Sequence, residues 1–386
     1  SLYEKLNQTE NLEDLTKRAS SKLGEKDPII LLFQAQLEST KGNTGKSLEI
    51  LLDIEPSKLP SQFRTDFYSL RGKAYDKLGE FSQAFKSFET QNKLSEELNQ
   101  DKLPESESFL IETYQLKNSW QSIKSYKSKK FDFIEKDNLV FLLGFPRTGT
   151  TLLDTILMGH PDIIVLEEAP MAEIMIEDFN GIGTPEDCYN LTKTDLVEFR
   201  KLYKIELEKQ LGYSSKGKLI VDKHPLNTRY IPLLHHAFPD AKFIVALRHP
   251  CDCILSCFMQ NFEFNKGTGN LISLAKSTEL YDATMGLWVA LESKLKLNAQ
   301  TLRYEDLIED VHGICRPLIN FLGLKWVDGI LDHTKTAKER TQISTASYNQ
   351  VTQTIYKTAK GRWSNYEDQL SEILPKLDPY IKKFGY

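Results

Sequence analysis

Two stretches of this chain carry residue types suited to gripping anions. The first is Gly144-Phe145-Pro146-Arg147-Thr148-Gly149-Thr150-Thr151, which follows the apolar run Leu139 to Leu143 and leads into Leu152-Leu153-Asp154-Thr155. When a buried strand passes through a Gly/Thr turn into a helix, the first helical amides lack internal partners and carry partial positive charge. Such an end suits phosphate or sulfate. Gly149 permits close backbone approach, and the hydroxyls of Thr148, Thr150 and Thr151 add donors. The second is Arg248, at the end of the run Phe243 to Leu247, with Ser256 two helical turns into a helix that begins near Pro250. A guanidinium fork and a hydroxyl can converge on one phosphate. Two separate anion sites suit a nucleotide phosphorylated at both ends of its ribose.

The first loop has the G-x-x-x-x-G spacing of nucleotide-triphosphate loops, but Thr150 stands where that motif needs Lys. A cation appears inside the loop instead, at Arg147. No strand ends in an Asp placed for magnesium, so the site favours an anion held by protein cations and amides, without a metal. Of the five cysteines, Cys251, Cys253 and Cys257 crowd together. They lack a second ligand pair at zinc-site spacing and read as reduced helix thiols. Two further clusters sit beside apolar runs. Glu167-Glu168 follow Ile163 to Leu166, and Lys223-His224 follow Leu219-Ile220-Val221 and Asp222.

These residues need a scaffold that gathers strand ends. The runs 139–143, 219–221 and 243–247 read as buried parallel strands, with helices over 191–211, 227–238, 250–262 and 274–297. That alternation means an α/β domain with a largely parallel sheet, whose ligands bind beyond the carboxyl ends of the strands. The first third reads differently. Ala35, Gly42, Leu48 and Leu51 match Gly72, Gly79, Phe85 and Phe88 at an offset of 37 residues, from Ala35 to Gly72. Large and small residues at helical spacing around a Gly turn resemble a tetratricopeptide repeat, whose period is about 34 residues. Leu12, Leu15, Ala19 and Leu23 read as the last helix of an earlier unit. The Lys-rich stretch 124–137 marks the boundary, giving a helical repeat domain over 1–135 and an α/β domain over 136–386. The repeats, with no catalytic constellation, are expected to pack or to bind a partner.

Bulk composition bounds the rest. The chain has 386 residues, 40% of them hydrophobic, and a net charge of −5. That argues against a nucleic-acid partner, which favours a basic excess. No run of about 18 apolar residues implies a membrane helix. Sparse, odd-numbered cysteines point to a reducing compartment, so the expected location is cytoplasmic. The opening Ser1-Leu2-Tyr3-Glu4-Lys5 has no signal-peptide pattern and, lacking Met, leaves an upstream segment open.

Pro146-Arg147-Thr148-Gly149-Thr150-Thr151 is similar to the 5′-phosphosulfate loop of the sulfotransferases that use 3′-phosphoadenosine 5′-phosphosulfate (PAPS). Their usual form is Pro-[Lys/Arg]-Ser-Gly-Thr-Thr. The Arg248/Ser256 spacing matches that family's 3′-phosphate pair. Gly361-Arg362-Trp363-Ser364-Asn365 resembles its Gly-x-Trp-x-Asn segment. The resemblance covers roughly 138–386 and is closest to the tyrosylprotein type and to tetratricopeptide-linked bacterial sulfotransferases. It implies a three-layer, P-loop-like domain and PAPS as co-substrate, with no metal. Tyr304 would lie near the adenine, and Ser347, Lys357 and Arg362 would serve as further nucleotide contacts. Glu168, 21 residues after Arg147, matches the tyrosylprotein family's general base. Lys223 matches a lysine facing the leaving group, a role Arg147 would share, and His224 is the rival base. The acceptor is a hydroxyl compound: a protein or peptide tyrosine, a small molecule or a carbohydrate. Ala169 and Pro170 replace the Thr and Arg of the tyrosylprotein type, which weakens the peptide reading. The repeats could present a peptide, dock a carrier or mediate self-association. A P-loop kinase and a non-catalytic repeat scaffold are the competing readings.

Overall fold

The structure, a computed structural model, describes residues 9–129, 131, 133, 136–177, 183–213, 215, 217–339 and 359–386. They fall into two compact units. One takes the chain up to Glu107 together with Ile254–Ser277 and Arg362–Ile373; the other takes Ser108–Cys253, Thr278–Gly361 and Leu374–Tyr386.

The first unit is helical. Its elements are α1 (Thr9–Leu23), α2 (Pro28–Thr40), α3 (Thr44–Leu52), α4 (Ser61–Lys77) and α5 (Phe81–Leu98). The two copies seen in the sequence correspond to the pairs α2–α3 and α4–α5. Small residues set how closely the helices approach. A Cβ added at Gly72 on α4 would lie 2.7 Å from the Phe88 ring of α5. The C-terminal segment packs on the same pair: Tyr366 Oη donates to Asp76 Oδ1 at 2.7 Å, and its ring meets Phe81 with centroids 5.3 Å apart.

The second unit holds a five-stranded parallel sheet in the order β2-β3-β1-β4-β5. The strands are β1 (Leu139–Gly144), β2 (Ile163–Glu167), β3 (Leu219–Lys223), β4 (Lys242–Leu247) and β5 (Ala299–Arg303). The chain leaves β1 toward β2 on one side and later reaches β4 on the other. The carboxyl end of β1 is therefore a switch point, where α/β sheets open a crevice for ligands. The three expected strands are present. β5 (Ala-Gln-Thr-Leu-Arg) was not expected, because an edge strand with only one buried residue carries no apolar run. The expected helix 227–238 starts as a 3-10 turn over Pro225–Tyr230 and becomes α-helical at Ile231. That over 250–262 stops at Phe258.

Side chains alternate across a strand. Val140, Leu142, Val221 and Ile244 face Leu153 and Ile156 of α6 (Thr150–Met158) and Leu318 of α7 (Val311–Leu322). On the opposite face Phe141 meets Phe238 and Phe243, and Tyr203 of the helix Lys193–Leu211 completes an aromatic layer. The same alternation separates the last two residues of β3. Lys223 turns toward α6, and Asp222 turns into the aromatic layer, where Tyr203 Oη donates to its Oδ2 at 2.7 Å. Burial pushes the Asp222 carboxyl up to about 7, the Tyr203 hydrogen bond pulling part of the way back. The native state thus holds an extra proton between the ordinary carboxylate value and about 7, and this group's contribution to stability falls as pH rises through that window. Asp222→Asn should abolish the fall. Urea unfolding at pH 5 and pH 8 should show the variant gaining on the wild type at the higher pH, by up to about 3 kcal/mol.

Candidate active site

The described candidate groups Arg147–Thr151, Glu168, Lys223, His224, Arg248 and Tyr304 stand at or just beyond the carboxyl ends of the strands. The β1 loop turns sharply: Thr148 N–H and Oγ1–H both donate to the Phe145 carbonyl, at 3.2 and 2.8 Å. Gly149 caps α6 at φ 88°, and a Cβ there would lie 2.5 Å from the Tyr304 ring. A side chain at that point would collide with Tyr304 and crowd the start of the helix. Thr150 and Thr151 follow, both buried, in the first turn of α6. Among the described residues the non-glycine positions with positive φ are Arg147 (72°) and Glu168 (49°). A left-handed backbone costs a side-chain-bearing residue about 1–3 kcal/mol and persists where the surroundings over-determine it. Both are residues singled out from the sequence for chemistry.

Arg248, just past β4, is buried. Its Nη1 donates to the Arg147 carbonyl at 3.0 Å and its Nη2 to the Ala359 carbonyl at 2.7 Å. The guanidinium carbon lies 5.0 Å from the centre of the Tyr304 ring. The two anion loops are therefore joined directly across the ends of β1 and β4, with Tyr304 lining both. Arg248 Nε is buried and has no hydrogen-bond partner among the described residues. Nearby, Asp252 accepts from the Gly361 amide at 2.8 Å, which fixes the start of the Gly-Arg-Trp-Ser-Asn segment.

The second cluster lies at the ends of β2 and β3. Glu167 and Lys223 are register partners on these adjacent strands. Beyond them the Glu168 amide donates to the Lys223 carbonyl at 2.7 Å. Lys223 is wholly buried, and three carboxylates surround its Nζ: Glu168 Oε1 at 2.9 Å, Asp154 Oδ2 at 3.3 Å and Glu167 Oε1 at 3.4 Å. Burial works against the ammonium, but Asp154, Glu168 and Glu167 together outweigh it and hold the group above the usual lysine value. Of the acids, Asp154 is fully buried and Glu168 the most open, its side chain 37% exposed. His224 extends beyond β3, its amide donating to the Leu142 carbonyl at 3.2 Å, and begins the 3-10 turn.

The structure thus gathers Arg147, Thr148, Gly149, Thr150, Thr151, Arg248 and Tyr304 around the β1 and β4 ends, and Glu168, Lys223 and His224 around β2 and β3. Ser256 stands two turns along the helix Pro250–Phe258. Arg362, expected on a phosphate, forms an ion pair through its guanidinium with Asp76 of α4. That pairing joins residues 286 apart in the chain and has no local signal. Ser347 and Lys357 lie outside the described residues. Asp154 was passed over in the sequence. Its signal was present, since a carboxylate in the otherwise apolar and threonine helix Thr-Thr-Leu-Leu-Asp-Thr-Ile-Leu-Met needs a partner if that helix is buried.

Comparison with known proteins gives this arrangement a lineage. Residues 139–328 match the Sulfotransferase family. An uncharacterized protein of Aquifex aeolicus is 26% identical over 382 residues, covering 95% of this chain and 48% of its own length. Protein-tyrosine sulfotransferase A of Caenorhabditis elegans is 22% identical over 257 residues, covering 64% of this chain and 67% of its own. The chain thus spans about half the length of the Aquifex relative. Among solved structures, the sulfotransferase domain of the Synechococcus PCC 7002 olefin synthase is 20% identical, covering 62% of this chain and 91% of that one, with a TM-score of 0.43. A glycine- and threonine-rich loop after the first strand, an arginine after the fourth and a family match that begins at β1 point the same way: residues 139–328, about half of the chain, match the Sulfotransferase family, and the match supports a place for this chain in the sulfotransferase superfamily.

Proposed function

We propose that the protein transfers a sulfuryl group from PAPS to a hydroxyl acceptor, with Glu168 as general base. The observation that carries this reading is the junction of Arg248 with the backbone of Arg147. It puts a buried guanidinium beside a helix start, and the helix start and the guanidinium suit the two phosphorylated ends of one nucleotide. The residues present fit such a ligand: Arg248 Nε is a buried donor still seeking an acceptor among the described residues, and Gly149 leaves space that a Cβ would fill.

The donor supplies an electrophilic sulfur with a phosphate as leaving group. The chain's own residues do the rest. The α6 amides and Arg147 hold the phosphosulfate end, and Arg248 with Ser256 holds the 3′-phosphate. Lys223 balances charge that develops on the leaving oxygen. Glu168, open to the crevice, takes the acceptor's proton, and alignment of the three groups supplies much of the rate. Tyr304 stacks beside the adenine; Ser347, Lys357 and Arg362 add contacts, Arg362 from a side chain that also pairs with Asp76.

The acceptor class most in keeping with the C. elegans relative is a tyrosine-bearing protein or peptide, and Ala169 and Pro170 argue for a less acidic one than the tyrosylprotein type takes. The helix pairs α2–α3 and α4–α5 would act as tetratricopeptide repeats that present it. No described helix is long and apolar enough to cross a membrane. Calorimetry with adenosine 3′,5′-bisphosphate in the presence of EDTA tests the reading. Saturable one-to-one binding is expected, lost in Arg248→Ala. Absence of binding to the wild type, or a requirement for magnesium, would sink it.

A further inference from the structure

The carboxylates around Lys223 are not equivalent. Asp154 and Lys223 are both inaccessible to solvent, 3.3 Å apart, whereas Glu168 at 2.9 Å has a side chain 37% exposed. A lysine ammonium has three donors, and three carboxylates already crowd this one. To turn toward a new oxygen it must give one of them up, and the acid that water can best re-solvate is the one most easily released. That acid is Glu168. Burial alone would then draw the lysine toward its neutral form, so a carboxylate that stays behind is needed to keep the charge.

We propose that Asp154 is the fixed counter-ion of Lys223, a positioning residue that keeps the ammonium charged and aimed while Glu168 leaves it for the acceptor hydroxyl. The proposal rests on the sulfuryl-transfer reading for its catalytic consequence, and on geometry alone for the ion pair. Asp154 is suited to the part because it cannot swing away. It sits on the buried face of α6, and the Thr155 hydroxyl donates to its Oδ1 at 3.1 Å. It also belongs to the helix whose first turn carries Thr150 and Thr151, so it ties the lysine of β3 to the anion loop of β1. Among the described residues, the other charged or titratable groups around Lys223 include Glu167 and Glu168 at the β2 end and its chain neighbours His224 and Asp222, the latter on the opposite face of the sheet.

Asp154→Asn keeps the shape and removes the charge. Adenosine 3′,5′-bisphosphate affinity is expected to hold within about threefold, while kcat falls about tenfold or more and its alkaline limb moves to lower pH by about one unit or more, as a buried lysine loses its counter-charge. A variant with wild-type kcat and an unmoved alkaline limb overturns the proposal. The second measurement does not depend on that variant's folding or on catalysis. In the double variant Glu167→Gln/Glu168→Gln labelled with 15N-lysine, where Asp154 is the carboxylate left of the three around Nζ, Lys223 is expected to remain an ammonium at about pH 9; a neutral amine there overturns the proposal. Failure of the wild type to bind the bisphosphate strikes the sulfuryl-transfer reading alone, and the lysine spectrum still decides whether Asp154 holds the charge.

Discussion

Replacing Lys223 by Met is expected to destabilise the protein by about 3–5 kcal/mol at neutral pH, the usual cost of removing one partner from a buried ion pair. It should also abolish sulfuryl transfer. Methionine fills nearly the same volume, so the loss is electrostatic. Asp154, fully buried, and Glu167, only 10% exposed, would lose the cation they share. The pH dependence separates this from a packing defect. In the wild type the lysine's value is raised by its carboxylates, so its contribution is complete below the ordinary lysine value of about 10.4 and fades only as pH climbs through the raised one. In Lys223→Met the deficit should shrink as pH is lowered, because protonating the stranded acids removes the uncompensated charge. Denaturant unfolding at pH 7 and pH 4.5 measures both. A deficit that is constant with pH would mean that the cluster is held by packing and not by charge.

What the sequence disclosed and what it hid follow from the range of the interactions. The β1 loop was legible because its chemistry is local: an apolar run, a turn, then a helix start with donors at fixed offsets. β3 and β4 were legible because buried parallel strands are continuously apolar. β5 was not, since Ala-Gln-Thr-Leu-Arg lies at the sheet edge with only Leu302 buried and therefore carries no such run. The carboxyl-end residues Glu168, Lys223 and Arg248 could be named, but not their partners. Which acid meets Lys223 depends on the strand order β2-β3-β1, and a sequence of strands does not contain its order in the sheet. The Arg362–Asp76 ion pair escaped for the same reason. The 37-residue offset in the first third did locate two helix pairs, because a small residue must recur wherever two helices touch closely, as Gly72 does against Phe88.

Glu168→Gln should lower kcat by about 10²–10⁴, the range over which a positioned base accelerates proton transfer, with little change in bisphosphate affinity. The backbone sets Glu168 apart from its neighbour. Glu167 ends β2 in register with Lys223, whereas Glu168 leaves the strand at φ 49°, its amide fixed on the Lys223 carbonyl. That turn carries its side chain out to 37% exposure while keeping one oxygen 2.9 Å from the ammonium. A residue in this posture can hold its carboxylate charge against Lys223 and still reach an incoming hydroxyl, which Glu167, nearly enclosed, cannot. Glutamine preserves length and the capacity to accept from Lys223, so a loss of kcat isolates the proton-accepting role. His224→Ala is the control, because that imidazole lies at the end of the same strand. If labelled-sulfate transfer survives in Glu168→Gln and fails in His224→Ala, the base is His224. If transfer falls only in Glu168→Gln, the left-handed turn after β2 is the element that puts the base in place. Its strain, about 1–3 kcal/mol for a non-glycine residue, then has a catalytic use.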